Sequence, residues 1–280
     1  MRIVVPSYQR PSRCETLYWL TLGGFTPDLV IQPQEQAAYA FGMASRYNCN
    51  LVILPPEIKG IAATRQWIVD NTDDDKLLMI DDDLKFFRRV VPTDWHLNKC
   101  QAKDMVDMIK WIDENLNLYP SVGVSLRQGN NQCTTSSRTN GQLIRVVGVH
   151  LPTLRQHGLR YDVLPVMEDR HVCLSLLGLG YENCINFEFA NDQANSQSAG
   201  GCTEERTKEI QDASAHKLAE LHPGTVKVVQ KETKNGWWGG TRTDTIVQWK
   251  EKYKRAPVKR SIVQQTITDP MGERTDGHFN

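Results

Sequence analysis

The sequence predicts an α/β fold: a mostly parallel sheet flanked by helices on both faces, with a C-terminal extension. Two observations carry this. The first part of the chain alternates short β-branched runs with helix-length segments, and a βαβα order builds parallel sheets covered on both sides. The 280 residues are 40% hydrophobic and 24% charged, ordinary usage for a chain with a packed core. Length alone allows about two domains, or one α/β domain with an extension.

The elements follow in order. Residues 2–6 form a short apolar strand ending at Pro6. Residues 15–22 read as a helix stopped by Gly23-Gly24, and 29–31 as a second strand. An alanine-rich helix is expected over 35–46. A third strand over 51–54 ends at Pro55-Pro56, a helix spans 60–71, and a fourth strand spans 76–80. Beyond Asp83 the pattern changes. An amphipathic helix covers 103–116, and strands are expected at 121–126 and 143–149, separated by a polar loop over 128–141. Helices follow at 168–180 and 203–221. The second carries Glu204 and Glu205 in its first turn and Pro223-Gly224 just past its end, as helix boundaries prefer. A late strand covers 226–229. From about Lys231 the chain turns basic, polar and rich in Trp and Gly. The expected division is therefore a domain over 1–230 and a basic, aromatic, partly flexible extension over 231–280.

Several function classes are excluded. The 33 Lys and Arg balance the 33 Asp and Glu, so no global basic surface binds nucleic acid unselectively. Apolar runs such as 77–80 are far too short to span a bilayer, and residues 1–6 enter a strand without a signal-peptide pattern. Seven cysteines without a C-x-x-C pair fit a reduced protein without structural zinc. A cytoplasmic location and no membrane partner are expected. The dinucleotide fingerprint, the P-loop, H-E-x-x-H and the G-x-S-x-G elbow are all absent.

Two aspartate triplets flank the fourth strand. Asp73-Asp74-Asp75 precedes it and reads as a solvated turn. Asp81-Asp82-Asp83 follows it, at the carboxyl end where ligands of parallel sheets bind. Successive carboxylates repel each other unless a cation neutralises them, and Mn²⁺ or Mg²⁺ with oxygen ligands is the natural partner. Arg65 falls between Ile61 and Ile68 on one helix face. Its stem can pack on the core while its head finds a carboxylate, or the guanidinium can reach a nucleotide phosphate. Glu168 and Asp169 open a helix whose apolar stripe includes Val172, Cys173, Leu176 and Leu177. Asp169 extends that stripe and is the candidate general base, whereas Glu168 can serve the helix dipole alone. The run 250–260 holds six basic residues and one acid, Glu251, near Trp237, Trp238, Trp249 and Tyr253. It reads as a solvated face, or as cations and rings for a nucleic acid.

Taken together, these residues resemble a GT-A-fold glycosyltransferase, a Rossmann-like α/β class. The opening Ile3-Val4-Val5-Pro6-Ser7-Tyr8-Gln9-Arg10 resembles its first strand and nucleotide-binding loop. Asp81-Asp82-Asp83 resembles its D-x-D motif, and Glu168-Asp169 its "ED" motif. More narrowly, the strand end Met79–Leu84 and residues 195–201 resemble the TET-associated glycosyltransferases of bacteriophages.

That resemblance implies a metal-dependent transfer from a nucleotide sugar, a UDP-sugar, to a hydroxymethylated pyrimidine in phage DNA. It implies donor contacts from Pro6, Ser7, Tyr8, Arg10, Arg65, Asp81 and Asp82, a metal on Asp81 and Asp83, and catalysis by Asp169 with Glu168. Acceptor contacts are expected from Arg127, Lys250, Lys252, Lys254 and Arg255. A base that deprotonates the acceptor hydroxyl fits an inverting enzyme. Two other readings stay open: a transferase acting on a saccharide or lipid-linked acceptor, and a non-catalytic nucleic-acid-binding protein with a structural acidic cluster.

Overall fold

The computed structural model describes residues 1–90, 96–130, 133–193, 206–232 and 240–262. One ten-stranded sheet organises the chain. Its strands are β1 (Arg2–Pro6), β2 (Asp28–Ile31), β3 (Asn50–Ile53), β4 (Lys76–Ile80), β5 (Leu84–Arg89), β6 (Leu97–Lys99), β7 (Ser121–Leu126), β8 (Ser137–Thr139), β9 (Val146–His150) and β10 (Cys184–Gln193). The order is β3-β2-β1-β4-β9-β7-β10-β5-β6, with β8 also pairing β10. β1 to β4 run parallel, as do β7 and β10, while β9, β5 and β8 oppose them. This is the expected mostly parallel α/β class.

Helices cover both faces because the central strands are apolar on both. Val5, Leu78 and Ile80 face a core shared with Leu17 and Leu20 of α1 (Glu15–Leu22) and with Met105, Met108 and Ile112 of α4 (Ala102–Asn115). The alternate residues Val4, Leu77 and Met79 face a second core. It is built with α3 (Ile61–Asp70), α5 (Leu151–Gln156) and α6 (Glu168–Gly178). Period-two alternation with both sets apolar is the signature of a sheet buried on both sides.

The helix expected over 35–46 is broken. A 3₁₀ turn at Pro33–Glu35 leads into the short α2 (Gln36–Tyr39), and a π turn follows at Ala40–Ala44. Gly42 explains the close approach there: a Cβ would lie 2.0 Å from the Pro11 carbonyl oxygen. β5 and β10 are strands the sequence pattern does not show. β10 hides because it carries Asn186 and Asn191 into the interior. Asn191 Nδ2 donates to the carbonyls of Val124 and Ser125, at 3.1 and 3.0 Å. Asn186 Oδ1 accepts from Phe189 N–H at a break in the register.

The expected boundary at 230/231 lies inside a strand. It falls within β11 (Val226–Glu232), which pairs along its length with β12 (Thr241–Val247), and α7 (Lys208–Leu221) packs on that hairpin. Then α8 (Trp249–Lys254) packs on α6, and the chain crosses the end of that helix. Arg260 N–H donates to Gly180 O at 2.9 Å and its Nε to Leu179 O at 3.0 Å. Residues 240–262 are thus part of the packed structure. Trp237, Trp238, Glu204, Glu205 and residues 195–201 lie outside the described residues.

Gly180 tests this docking. Its φ is +93°, and a Cβ would sit 1.8 Å from Val258 O. Gly180→Ala therefore meets both backbone strain and a clash, and is expected to cost about 3 kcal/mol in urea denaturation. Gly158→Ala, with φ +58° and no neighbour within 4 Å among the described residues, is expected to cost about 1 kcal/mol.

Candidate active site

The carboxyl ends of β1 to β4 open onto a cleft of about 560 Å³. Residues of four features singled out from the sequence line it: Pro6, Ser7, Tyr8 and Arg10; Arg65; Asp81, Asp82 and Asp83; Glu168 and Asp169. The topology explains the convergence. Ser7 follows β1 and Asp81 follows β4, and these strands are parallel neighbours.

Asp82 anchors the floor. Its Oδ2 accepts from Ser7 Oγ at 2.5 Å and its Oδ1 from Arg10 Nη1 at 2.6 Å. Ser7 gives its one proton to Asp82, so the Tyr39 hydroxyl 2.7 Å away donates to Ser7 Oγ. Tyr39 in turn accepts from Arg10 N–H at 2.9 Å. Burial pushes Asp82 up to about 6, against the pull of Arg10 and Ser7. Arg10 Nη1 also reaches Asp83 Oδ2 at 2.8 Å, which accepts from Gln193 Nε2 at 2.8 Å as well. Asp83 Oδ1 is buried with no hydrogen-bond partner among the described residues.

Arg65 settles between its two readings. It is 6% exposed. Its Nη2 donates to Asp81 Oδ1 at 3.0 Å, and its Nη1 pairs with Glu168 Oε1 at 3.0 Å. The head does find carboxylates, and both belong to the cleft. Burial pushes Asp81 up, with Arg65 opposing. Burial also pushes Glu168 up, again against Arg65 and with Asp169 adding to the rise.

The expected division of labour between Glu168 and Asp169 is reversed in burial. Glu168 is the enclosed residue, whereas Asp169 is half-buried and borders the cleft, with its Oδ1 accepting from Arg170 N–H at 2.7 Å. Met167, just before α6, has φ +65°, and this left-handed turn puts both acids at the helix start into the cleft.

Sequence reasoning missed the rest of the wall. Arg145 stands opposite Asp81: Asp81 N–H donates to Arg145 O at 2.9 Å, one step past the Ile80–Val146 pair. Arg145 has φ +68°, a conformation that costs a non-glycine residue about 1 kcal/mol or more. Arg206, Gln211, Arg242 and Asp244 close the other side. Three cations converge on Asp244: Arg170 at 2.9 Å, Lys231 at 2.8 Å and Arg242 at 3.3 Å. Burial alone would raise Asp244, but hydrogen bonds from Lys231, Arg170 and Thr245 N–H hold it well below the usual carboxylate range. None of these residues sits in a motif. The pairing of β11 with β12 brings Lys231, Arg242 and Asp244 together beside Arg170 of α6.

Several expected acceptor residues lie elsewhere. Arg127 pairs with Asp192 at 3.1 Å and lies over the Phe87 ring at 4.4 Å, so it does not line the cleft. Arg255 bonds Glu251 at 2.8 Å and Gly224 O at 3.3 Å, closing the end of α8. Lys252 packs beside Gly178, where burial lowers its pKa. Lys250 and Lys254 border a second cleft next to the first. His222 is buried against His171, with ring nitrogens 3.1 Å apart, and does not line the cleft of Asp81–Asp83.

The residues present fit a divalent cation in one respect. The unpartnered, buried Asp83 Oδ1 beside Asp81 is an oxygen donor awaiting a partner. Among the described residues no group of three or more His, Cys, Asp or Glu side chains could hold a metal ion by itself. A cation here would therefore complete its shell from the donor and water.

A mostly parallel α/β sheet, with acidic and basic side chains gathered where its strands end, has a polar cleft in the place where α/β folds of this class bind their ligands. The chain belongs to the TET-associated glycosyltransferase family, whose model matches residues 1–201, and it is a glycosyltransferase. It is 23% identical over 224 residues to the beta-glucosyl-HMC-alpha-glucosyl-transferases of Enterobacteria phages T2 and T6, covering 74% of this chain and 76% of theirs. Among solved structures it is similar to Staphylococcus aureus TarS 1–349 in complex with UDP-GlcNAc. The TM-score is 0.47 at 11% identity, over 78% of this chain and 67% of that one. It is also similar to the glucosyl-3-phosphoglycerate synthase of Mycobacterium tuberculosis in complex with Mg²⁺ and UDP. There the TM-score is 0.48 at 11% identity, over 88% and 86% of the two chains. No residue role is carried across at these levels. Among the described residues no helix is long and apolar enough to cross a membrane.

Asp244 gives a pH prediction with a definite sign. A carboxylate whose folded pKa is depressed contributes stability above its unfolded pKa of about 4 and loses it as pH falls further. Asp244→Asn is expected to cost about 3 kcal/mol near neutral pH, because it strands partly buried cations. The gap to wild type, read from denaturation curves, should narrow as pH drops below about 4.

Proposed function

We propose that the protein moves a sugar from a UDP-sugar to a hydroxyl on a hydroxymethylated pyrimidine of DNA. The hydroxyl is the base's own or that of a sugar already attached to it. The observation that carries this is the meeting of Ser7–Arg10, Arg65, Asp81–Asp83 and Glu168–Asp169 in one cleft at the strand ends. The name of the phage relatives, which describes a glucosyl-HMC acceptor, supports the acceptor. Family membership removes the reading as a non-catalytic nucleic-acid-binding protein.

On this reading Pro6, Ser7, Tyr8, Arg10 and Asp82 shape the nucleotide side of the cleft. Arg65 holds Asp81 and Glu168 in register and adds positive charge near the diphosphate. Asp81 and Asp83 would hold Mn²⁺ or Mg²⁺, which supplies Lewis-acid neutralisation of the departing diphosphate. Arg145 and Arg206 line the same cleft, and Arg206 Nε is buried with no hydrogen-bond partner among the described residues, so both are placed to bind phosphate oxygens. Asp169 takes the acceptor hydroxyl proton. The new bond joins that oxygen to the anomeric carbon, the bond from that carbon to the phosphate oxygen breaks, and UDP leaves with the electron pair.

The cation role is tested by Asp83→Ala. Transfer should fall about a thousandfold with the melting temperature little changed, and EDTA should reduce the wild type similarly. Asp74→Ala is the control: Asp74 is exposed and pairs with the N-terminus at 3.5 Å, at the far end of β4. Wild-type turnover in Asp83→Ala would overturn the assignment.

Asp169→Asn and Glu168→Gln separate base from scaffold. Asp169→Asn should lower kcat by roughly two to four orders of magnitude with little change in donor KM. Glu168→Gln removes one of Arg65's two anionic partners, so donor KM should rise along with the loss of kcat. A mild effect of Asp169→Asn, together with a product that retains the donor's anomeric configuration, would move proton acceptance to the departing phosphate oxygen.

A further inference from the structure

A second cleft, of about 600 Å³, adjoins the first and shares Gln128 and Ile144 with it. Its walls come from β8, β10 and the start of α8. Phe187 and Trp249 pack on the sheet core yet remain partly exposed. The Arg138 guanidinium lies over the Phe187 ring, 5.2 Å from its centroid. Lys250 and Lys254 are exposed and four residues apart, so they share one face of α8. Lys252 and Arg255 are used elsewhere: one packs beside Gly178 and the other pairs with Glu251. Among the described residues Glu251 is the only acid lining this cleft, and Arg255 neutralises it at 2.8 Å.

Rings set among cations, without an unpaired carboxylate, suit a polyanion that also offers flat faces. A duplex hides its base faces, whereas an unpaired or extruded nucleotide presents them. The volume is that of a small-molecule pocket and is too small for a double helix. The chain carries no net charge, so attraction for a phosphate backbone has to be local.

We propose that this cleft holds the acceptor strand. An unpaired nucleotide lies against Phe187 and Trp249, the phosphates beside it rest on Lys250 and Lys254, and the reacting hydroxyl passes into the donor cleft between Gln128 and Ile144. The proposal rests on the DNA acceptor reading and assigns it a place.

The test uses the full chain with fluorescent oligonucleotides that carry one hydroxymethylcytosine. The same sequence is supplied as single strand and as duplex, and binding is titrated against salt without donor. Transfer from UDP-sugars is followed by nucleoside mass. Wild type should bind the single strand more tightly than the duplex. The charge-reversed variant K250E/K254E should bind the single strand at least tenfold more weakly. It should also lose about 1.4 from the log–log salt slope, since each contact to a single strand contributes about 0.7. The control K103E/K110E changes exposed lysines of α4 that line neither cleft, and should keep the wild-type slope.

If K250E/K254E keeps wild-type affinity and slope while the oligonucleotide is still glycosylated, the strand lies elsewhere and only this proposal falls. A duplex that binds more tightly than the single strand overturns the unpaired nucleotide. If wild type neither binds nor modifies any oligonucleotide but does modify a saccharide, the acceptor reading falls and takes this proposal with it.

Discussion

Arg65 is buried between Asp81 and Glu168, with 3.0 Å contacts to each, and the cleft is assembled around that bridge. Taking a guanidinium out of water costs several kcal/mol, and a buried charge persists only where carboxylates meet it. Here the carboxylates come from the end of β4 and the start of α6, segments far apart in the chain. Burial disfavours the charged guanidinium, but Glu168 and Asp81 more than offset this, so Arg65 stays charged. The bridge thus sets the distance between the acidic strand end and the acids at the helix start. Either acid alone would leave the cation underpaired.

The aspartate triplet divides under the same constraint. Three adjacent carboxylates are tolerated because each meets a guanidinium. Asp81 has Arg65, Asp82 has Ser7 and Arg10, and Asp83 shares Arg10 with Asp82. What is left over is chemically specific: one buried oxygen, Asp83 Oδ1, without a partner among the described residues. The other triplet has no such arrangement. Asp73, Asp74 and Asp75 are exposed at the opposite end of β4.

The N-terminal half of this design was legible because its signals are local. Parallel strands punctuated by Gly and Pro, and acids directly after a strand, can be read along the chain. What escaped depends on long-range pairing. β10 carries asparagines inward, and their hydrogen bonds go to carbonyls of β7, so its polar letters resemble a loop. Glu168 and Asp169 could not be ranked by helical spacing, because the left-handed turn at Met167 aims both into the cleft. Arg255 and Lys252 looked like nucleic-acid contacts by composition. Once α8 docks on α6, two basic residues of that run face the second cleft while these two are drawn into structural roles.

The family match ends at residue 201, yet the cleft does not. Arg206, Gln211, Arg242 and Asp244 all line it, and they come from the unit of α7, β11 and β12. That unit is fastened to α6 beside Glu168 and Asp169, through Arg170 and Asp244. Asp169 already bonds Arg170 N–H, so the fastening and the candidate base are adjacent on one turn of helix. A change that loosens the hairpin therefore alters the setting of Asp169 as well as the far wall. The side of the cleft built by the parallel strands follows the matched family. The opposite side, and the way into it from the second cleft, depend on residues that only the folded C-terminal segment brings there. Differences in acceptor between related chains would then arise more readily from the hairpin and α8 than from the aspartates, because substitutions there leave the Arg65 bridge in place.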